Sequence, residues 1–312
     1  MTEREAIQRR RQKIARMKRR RRQQQQLTVA AIVFAVALCV LLVILFSGGD
    51  KPDPSLGTNP QQTQPSQTVP QTTPPTTQPE VTEPPLTYPP DATPQQMLEV
   101  FMQYHDLSVR DYPQVVREAF ETSKENIDYL LNFPFMYGKE QEVDISGYDI
   151  SQGVPLFIQW DDRWGYLPYA GNYAGLAACG PTCLSMVAYY LTGDAKYTPV
   201  YMMEYAEANG HCGDRQGTYW SLFTEGAVEM GFIVKELYLT ERKLASTLEE
   251  GKLIILSVGP GHFTAAGHFI VLTGYEDGYF TVNDPNSYAN SQRKWAYDEF
   301  ADQIKNIWSF SL

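Results

Sequence analysis

The sequence predicts an α+β domain in the C-terminal half of a 312-residue chain, placed behind a membrane-spanning helix and a disordered spacer. Three observations carry the prediction. Residues 27–46 form a run of twenty without a charge, and 13 of the 21 prolines lie between Pro52 and Pro94. Beyond residue 151, helix-periodic segments come first and apolar strand signals with hairpin punctuation follow, an order that suits a helix packed across a curled antiparallel sheet.

From the N-terminus, residues 1–26 are a basic arm with 11 Lys and Arg against 2 Asp and Glu, a net of +9, while the remainder carries −19. A basic arm on an acidic body normally meets anionic phosphate. The uncharged run after it is long enough, at ~1.5 Å per residue, to cross a ~30 Å hydrocarbon core. Residues 27–47 are therefore expected to form a transmembrane helix. A cleaved signal peptide has a shorter apolar core and a small-residue cleavage site, whereas this run ends in Ser47-Gly48-Gly49-Asp50. Arg19 to Arg22 stand before it, so the positive-inside bias keeps the arm cytoplasmic and sends the rest of the chain across. Its junction with the bilayer makes anionic lipid the arm's expected neighbour and argues against nucleic acid.

Residues 48–95 are rich in Pro, Thr and Gln and lack the apolar side chains that offset ordering entropy. They read as a disordered spacer which, at ~3 Å per residue, reaches ~100 Å or more from the membrane, far enough to cross part of a cell wall. Residues 96–150 form a helical lead-in, with Met97, Val100, Phe101 and Tyr104 on one face, followed by a loop from about 133. His105 there reads as a surface or packing residue. Within the domain at 151–312 the expected elements are a strand at 154–160, helices at 179–191 and 199–208, a glycine-rich loop at 211–217 and a helix at 219–230. Strands are expected at 232–239, 253–258, 268–275 and 279–283, with a helix at 241–249 between the first two.

The chemistry of this domain centres on Cys179. Pro181 fits only a first helical turn, Leu184, Val187, Ala188 and Leu191 follow helical spacing, and Gly193 is a natural stop. Cys179 thus sits at the positive end of a helix dipole, which favours a thiolate. A nucleophilic thiol needs a base, and the base needs an orienting partner. Among His211, His262 and His268, the hairpin formed by 269–275 and 279–282 around Glu276-Asp277-Gly278 sets Asp284 nearly opposite His268 and leaves His262 beyond the partner strand. This selects His268 as base and Asp284 as its partner, with no bulge allowed for; His262 is the fallback, and Asp284 before Pro285 also reads as a turn residue. Gln159, at the end of the strand before the cysteine, is a candidate donor to an oxyanion beside the Cys179 backbone N–H, or simply a surface glutamine. Trp160, Trp164, Tyr166 and Tyr169 either line the cleft or pack. Cys183, His211 and Cys212 lack a usual zinc spacing, so no metal or cofactor is expected, and Cys183 reads as a buried structural thiol. A Cys183–Cys212 bridge is allowed by count alone.

Gln159-Trp160-Asp161 with Arg163-Trp164, then Tyr169, Cys179-Gly180-Pro181-Thr182, Met186-Val187, the stretch LTGD, GPGHFTAAGHFIVLTGY and VNDPNS together resemble the C39-like group of papain-fold cysteine peptidases. The resemblance spans about residues 154–310. It implies a papain-like fold, with Cys179 as nucleophile, His268 as base, Asp284 as third member and Gln159 as oxyanion donor. The chain departs from the bacteriocin-leader peptidases of that clan, since no transporter bundle or nucleotide-binding domain is attached, so their double-glycine leader substrate is not carried over. The expectation is a membrane-anchored, single-pass, extracytoplasmic cysteine peptidase acting on a peptide or protein, with cell-wall substrates among the candidates. Acyl transfer to an amine, or a surface-binding module without turnover, are the alternatives, and specificity is expected in loops such as 208–217.

Overall fold

The computed structural model describes residues 85–123 and 125–312. The basic arm, the expected span at 27–47 and most of the spacer lie outside these residues. Among the described residues, no helix is long and apolar enough to cross a membrane.

The lead-in is built from short helices: α1 (Pro94–Tyr104), α2 (Gln114–Ala119), α3 (Ile127–Leu131) and α4 (Phe133–Met136). Helix α1 starts where the sequence says it should. Thr93 caps it, its hydroxyl accepting from Gln96 N at 3.3 Å while the Gln96 side chain accepts from Thr93 N at 2.8 Å, and Pro94 takes the first turn. These helices bury Phe101, Tyr112, Val116, Phe120, Leu130 and Phe133 in a core of their own that also includes Tyr166. His105 is exposed and packs on Phe101 at 4.4 Å. The expected loop after 133 contains α4 and a short 3-10 turn, Ile150–Gln152.

In the main domain, residues 154–160 do not form a strand, contrary to expectation. They have no sheet partners and turn at Gln159 and Trp160: the Asn283 side chain holds the Val154 and Pro155 carbonyls at 3.1 Å each, and Gln159 N donates to Pro285 O at 2.7 Å. Two short hairpins, β1 (Pro168–Tyr169) with β2 (Asn172–Tyr173) and, later, β3 (Cys212–Gly213) with β4 (Gly217–Thr218), flank helices α5 (Ala174–Ala177), α6 (Cys179–Thr192) and α7 (Pro199–Asn209). Helix α6 ends at Gly193, whose φ of 67° closes a left-handed cap. Every residue from Gly180 to Tyr189 is buried, so α6 is a central helix rather than the one-sided helix its spacing predicts. Each fully buried Leu184 or Val187 stabilises by about 1.5–3 kcal/mol. The helix expected at 219–230 is present over 221–229 but contains a π segment, Leu222–Gly226, that runs into α8 (Ala227–Glu229).

A six-stranded antiparallel sheet backs α6, in the order β5 (Ile233–Glu236), β10 (Ile304–Ser311), β6 (Leu253–Val258), β7 (His268–Glu276), β8 (Tyr279–Asn283) and β9 (Lys294–Ala296). Helix α9 (Glu241–Glu249) covers its other face, and α10 (Tyr288–Gln292) and α11 (Tyr297–Phe300) join β8, β9 and β10. The period of two in the strands sorts side chains between the faces. Leu253, Ile255, Phe269, Val271, Trp308 and Phe310 join the core around α6, whereas Ile254, Leu256, Ile270, Leu272 and Ile307 join the core under α9. Both cores are thus made from the same strands.

Candidate active site

Cys179 is the first residue of α6 and is half-buried. Its neighbour Gly180 admits the Thr218 side chain so closely that an added Cβ would stand 2.7 Å from it, which fixes the β4 hairpin against the start of the helix. Thr182 returns its hydroxyl to Ala178 O at 2.8 Å.

His268 opens β7 as the Cα partner of Val258. Its Nε2 is 2.7 Å from Asp284 Oδ1, and Cys179 stands near enough to bear on the charge of the imidazole. Asp284 thus occupies Nε2 and leaves Nδ1 for the thiol. The contact exists, but not by direct pairing across the hairpin. The turn is Asp277-Gly278, both with positive φ, and Tyr275 pairs Phe280 and Gly274 pairs Thr281; a bulge at Thr273 then shifts the register to Leu272 with Val282 and Val271 with Asn283. That register, continued, would put Asp284 beside Ile270, and the His268 side chain reaches Asp284 diagonally.

Asp284 is fully buried. Besides the imidazole it takes Asn286 N at 2.8 Å on Oδ1 and Asn290 Nδ2 at 2.7 Å on Oδ2. The first of these is an Asx turn, so the turn role and the histidine contact belong to the same residue. Burial alone would lower the His268 pKa; the Asp284 charge and hydrogen bond, followed by Cys179, outweigh it and raise the value to about 10. The site therefore holds an imidazolium readily.

Gln159 is buried in a turn. Its Nε2 donates to Gly175 O at 2.9 Å, which fixes which end of the amide is nitrogen, and its Oε1 has no hydrogen-bond partner among the described residues. Gln159 and His268 both line a cleft of about 750 Å³. Cys179 does not itself line that cleft. One wall is the loop from Gly261 to Ala266, and His262, exposed there with its ring 5.5 Å from Trp295, belongs to this wall rather than to the thiol's partners. The other wall, unforeseen in the sequence, comes from Ala119, Thr122, Glu125 and Asn126 of the lead-in. The loop at 208–217 does not line the cleft.

The remaining candidates have other duties. Trp164 and Tyr169 are wholly buried and Tyr166 nearly so, while Trp160 is half-buried against Tyr288; none lines the cleft. Cys183 and Cys212 are free thiols. The Cys183 Sγ donates to Phe269 O at 3.2 Å, and burial pushes its pKa well up, with Cys179 and Asp284 adding to this. Cys183 is an inert packing group. His211 Nδ1 lies 2.9 Å from Ser221 Oγ. Among the described residues, no group of three or more His, Cys, Asp or Glu is arranged to hold a metal ion.

Comparison with known proteins follows the same line. No curated protein matches the chain. Among solved structures, the peptidase domain of Streptococcus ComA, a bi-functional ABC transporter involved in quorum sensing, is 19% identical over 43% of this chain and 91% of that one, with a TM-score of 0.36. A C39-like protein from Bacillus anthracis is 17% identical over 55% of this chain and 98% of that one, with a TM-score of 0.37. The model of the Peptidase_C39 like family matches residues 151–310, which covers both strands of the hairpin and the helix that begins with Cys179, and the chain belongs to that family.

Proposed function

We propose that the protein is a membrane-anchored, extracytoplasmic cysteine peptidase that hydrolyses a peptide or isopeptide bond through an acyl-enzyme on Cys179. The observation that carries this reading is a single buried imidazole, held 2.7 Å from a buried carboxylate and influenced by the thiol of Cys179 at the start of α6. In the reaction the Cys179 proton already resides on His268, and the Sγ thiolate attacks the substrate carbonyl carbon. The resulting oxyanion accepts from the Cys179 backbone N–H and from the second Nε2 proton of Gln159. His268 then gives its proton to the leaving amine, and the acyl-enzyme remains. A water that loses its proton to His268 attacks the thioester, and Sγ leaves as the thiolate beside the imidazolium. Asp284 stays ionised and steadies the imidazolium. The anchor, the outward orientation and the spacer rest on the sequence of residues 1–95, which suit an enzyme acting on peptides at or near a cell wall.

The test is alkylation of the full chain in detergent with limiting iodoacetamide near pH 6, with adducts located by peptide mass spectrometry. Selective labelling of Cys179, lost in His268→Ala, is expected. Equal labelling of Cys179 and Cys212 contradicts the mechanism.

A further inference from the structure

Glu125 lies in the lead-in, outside the matched family region, and both of its carboxylate oxygens are engaged by residues from the far end of the chain. Oε1 accepts from Ser287 Oγ, and Oε2 accepts from Tyr288 N at 2.8 Å and Ala289 N at 3.2 Å. Those groups open α10, the turn that also carries Asn286 and Asn290, the two residues that join His268 in holding the Asp284 carboxylate. Ser291 closes the turn from inside: its hydroxyl accepts from Asp284 N at 2.9 Å and lies 2.7 Å from Ser287 O. One short segment, 284–292, is therefore held between two carboxylates, Asp284 from within and Glu125 from the lead-in. Glu125, Ser287, Asn290 and His268 all border the same cleft.

We propose that Glu125 is a positioning residue for the catalytic site: it fixes the 284–292 turn so that Asp284 meets His268, and it fastens the lead-in as a wall of the substrate cleft. The proposal rests on the reading of Cys179 and His268 given above. The geometry distinguishes this from an ordinary surface contact. A carboxylate that accepts two backbone N–H groups at the opening of a helical turn sets the turn's orientation, and a small misplacement of an orienting group is felt strongly at the reacting atoms. The titratable groups that bear on His268 are Asp284 and Cys179, with His262 and Glu125 on the cleft walls.

The experiment measures the alkylation rate of Cys179 by iodoacetamide in the full chain at pH 6 and at pH 9, for wild type, Glu125→Ala and Glu125→Gln, alongside the thermal midpoint. A positioning role predicts that the pH 6 to pH 9 rate ratio falls ~10-fold in Glu125→Ala. Glu125→Gln, which keeps one acceptor oxygen for Tyr288 and Ala289, recovers part of that loss. A ratio equal to wild type in both variants, with only the thermal midpoint lowered, overturns the proposal and leaves Glu125 a structural clasp. Should Glu125→Ala not fold, Glu125→Gln decides: a lowered ratio supports the proposal and an unchanged one overturns it. If wild-type Cys179 reacts no faster than Cys212 at pH 6, the underlying assignment of Cys179 and His268 falls first, an outcome separate from failure of Glu125 alone.

Discussion

Replacing Asp284 by Asn tests the electrostatics of the site. The carboxylate is fully buried and receives the His268 ring at 2.7 Å, Asn286 N at 2.8 Å and Asn290 Nδ2 at 2.7 Å. An asparagine keeps the volume, loses the charge and must turn an NH2 group toward at least one of those three donors. Removing one partner of a buried ion pair costs about 3–5 kcal/mol. The pH dependence gives the sign. His268 is raised from 6.5 to about 10 in the folded protein. With the folded value above the unfolded one, the pair's contribution is complete below pH 6.5 and is lost as pH climbs through about 10. At ~1.4 kcal/mol per pH unit, that interval amounts to something on the order of 5 kcal/mol. Urea unfolding of wild type and Asp284→Asn, each followed from pH 6 to pH 10, should show the largest stability gap at pH 6 and a steady narrowing toward pH 10. Comparing the two proteins removes the titrations they share. A gap that stays constant across the range, or an Asn variant as stable as wild type at pH 6, refutes the argument.

Two further substitutions probe how the site is built. Asn283→Ala removes the amide that holds the Val154 and Pro155 carbonyls, and should destabilise the protein by about 1–3 kcal/mol in urea unfolding while loosening the segment that presents Gln159; an unchanged midpoint would show that this amide holds nothing. Gly175→Ala would drive a Cβ to 2.4 Å from the buried Tyr129 ring, whose hydroxyl is tied to Gly165 O at 3.0 Å, and should lower stability by about 1–3 kcal/mol, read as a drop in thermal midpoint.

Much of the framework was legible in local sequence. Helix α9 and strand β6 have the bounds that periodicity assigns, and Gly193 ends α6 by the capping chemistry that marks it. The His268–Asp284 contact was also readable, although hairpin counting reached it by a register that the bulge at Thr273 breaks. A bulge has no sequence mark of its own here, and the side-chain contact survives it because the imidazole reaches along the strand. Strand β10 went unread, though Ile304 and Ile307 to Phe310 carry an apolar signal, because its place between β5 and β6 depends on pairing with segments about 50 and 75 residues earlier, which no local pattern encodes. The expected strand at 154–160 failed for the opposite reason. Its residues are mostly apolar, yet its backbone groups go to Asn283 and Pro285 and not to a neighbouring strand. The lead-in gave no chemical signal because Glu125 acts through partners 162 to 164 residues away.

The central claim is that Cys179 carries an acyl group that His268 helps to form. It is tested most directly by incubating the full chain with p-nitrophenyl acetate, quenching in acid within seconds and mapping acetylated peptides by mass spectrometry. The account predicts acetyl on Cys179 in wild type, its absence in His268→Ala and its accumulation where Gln159 and Asp284 are intact. Acetyl spread over Cys212 and surface lysines, equally in wild type and His268→Ala, would contradict it.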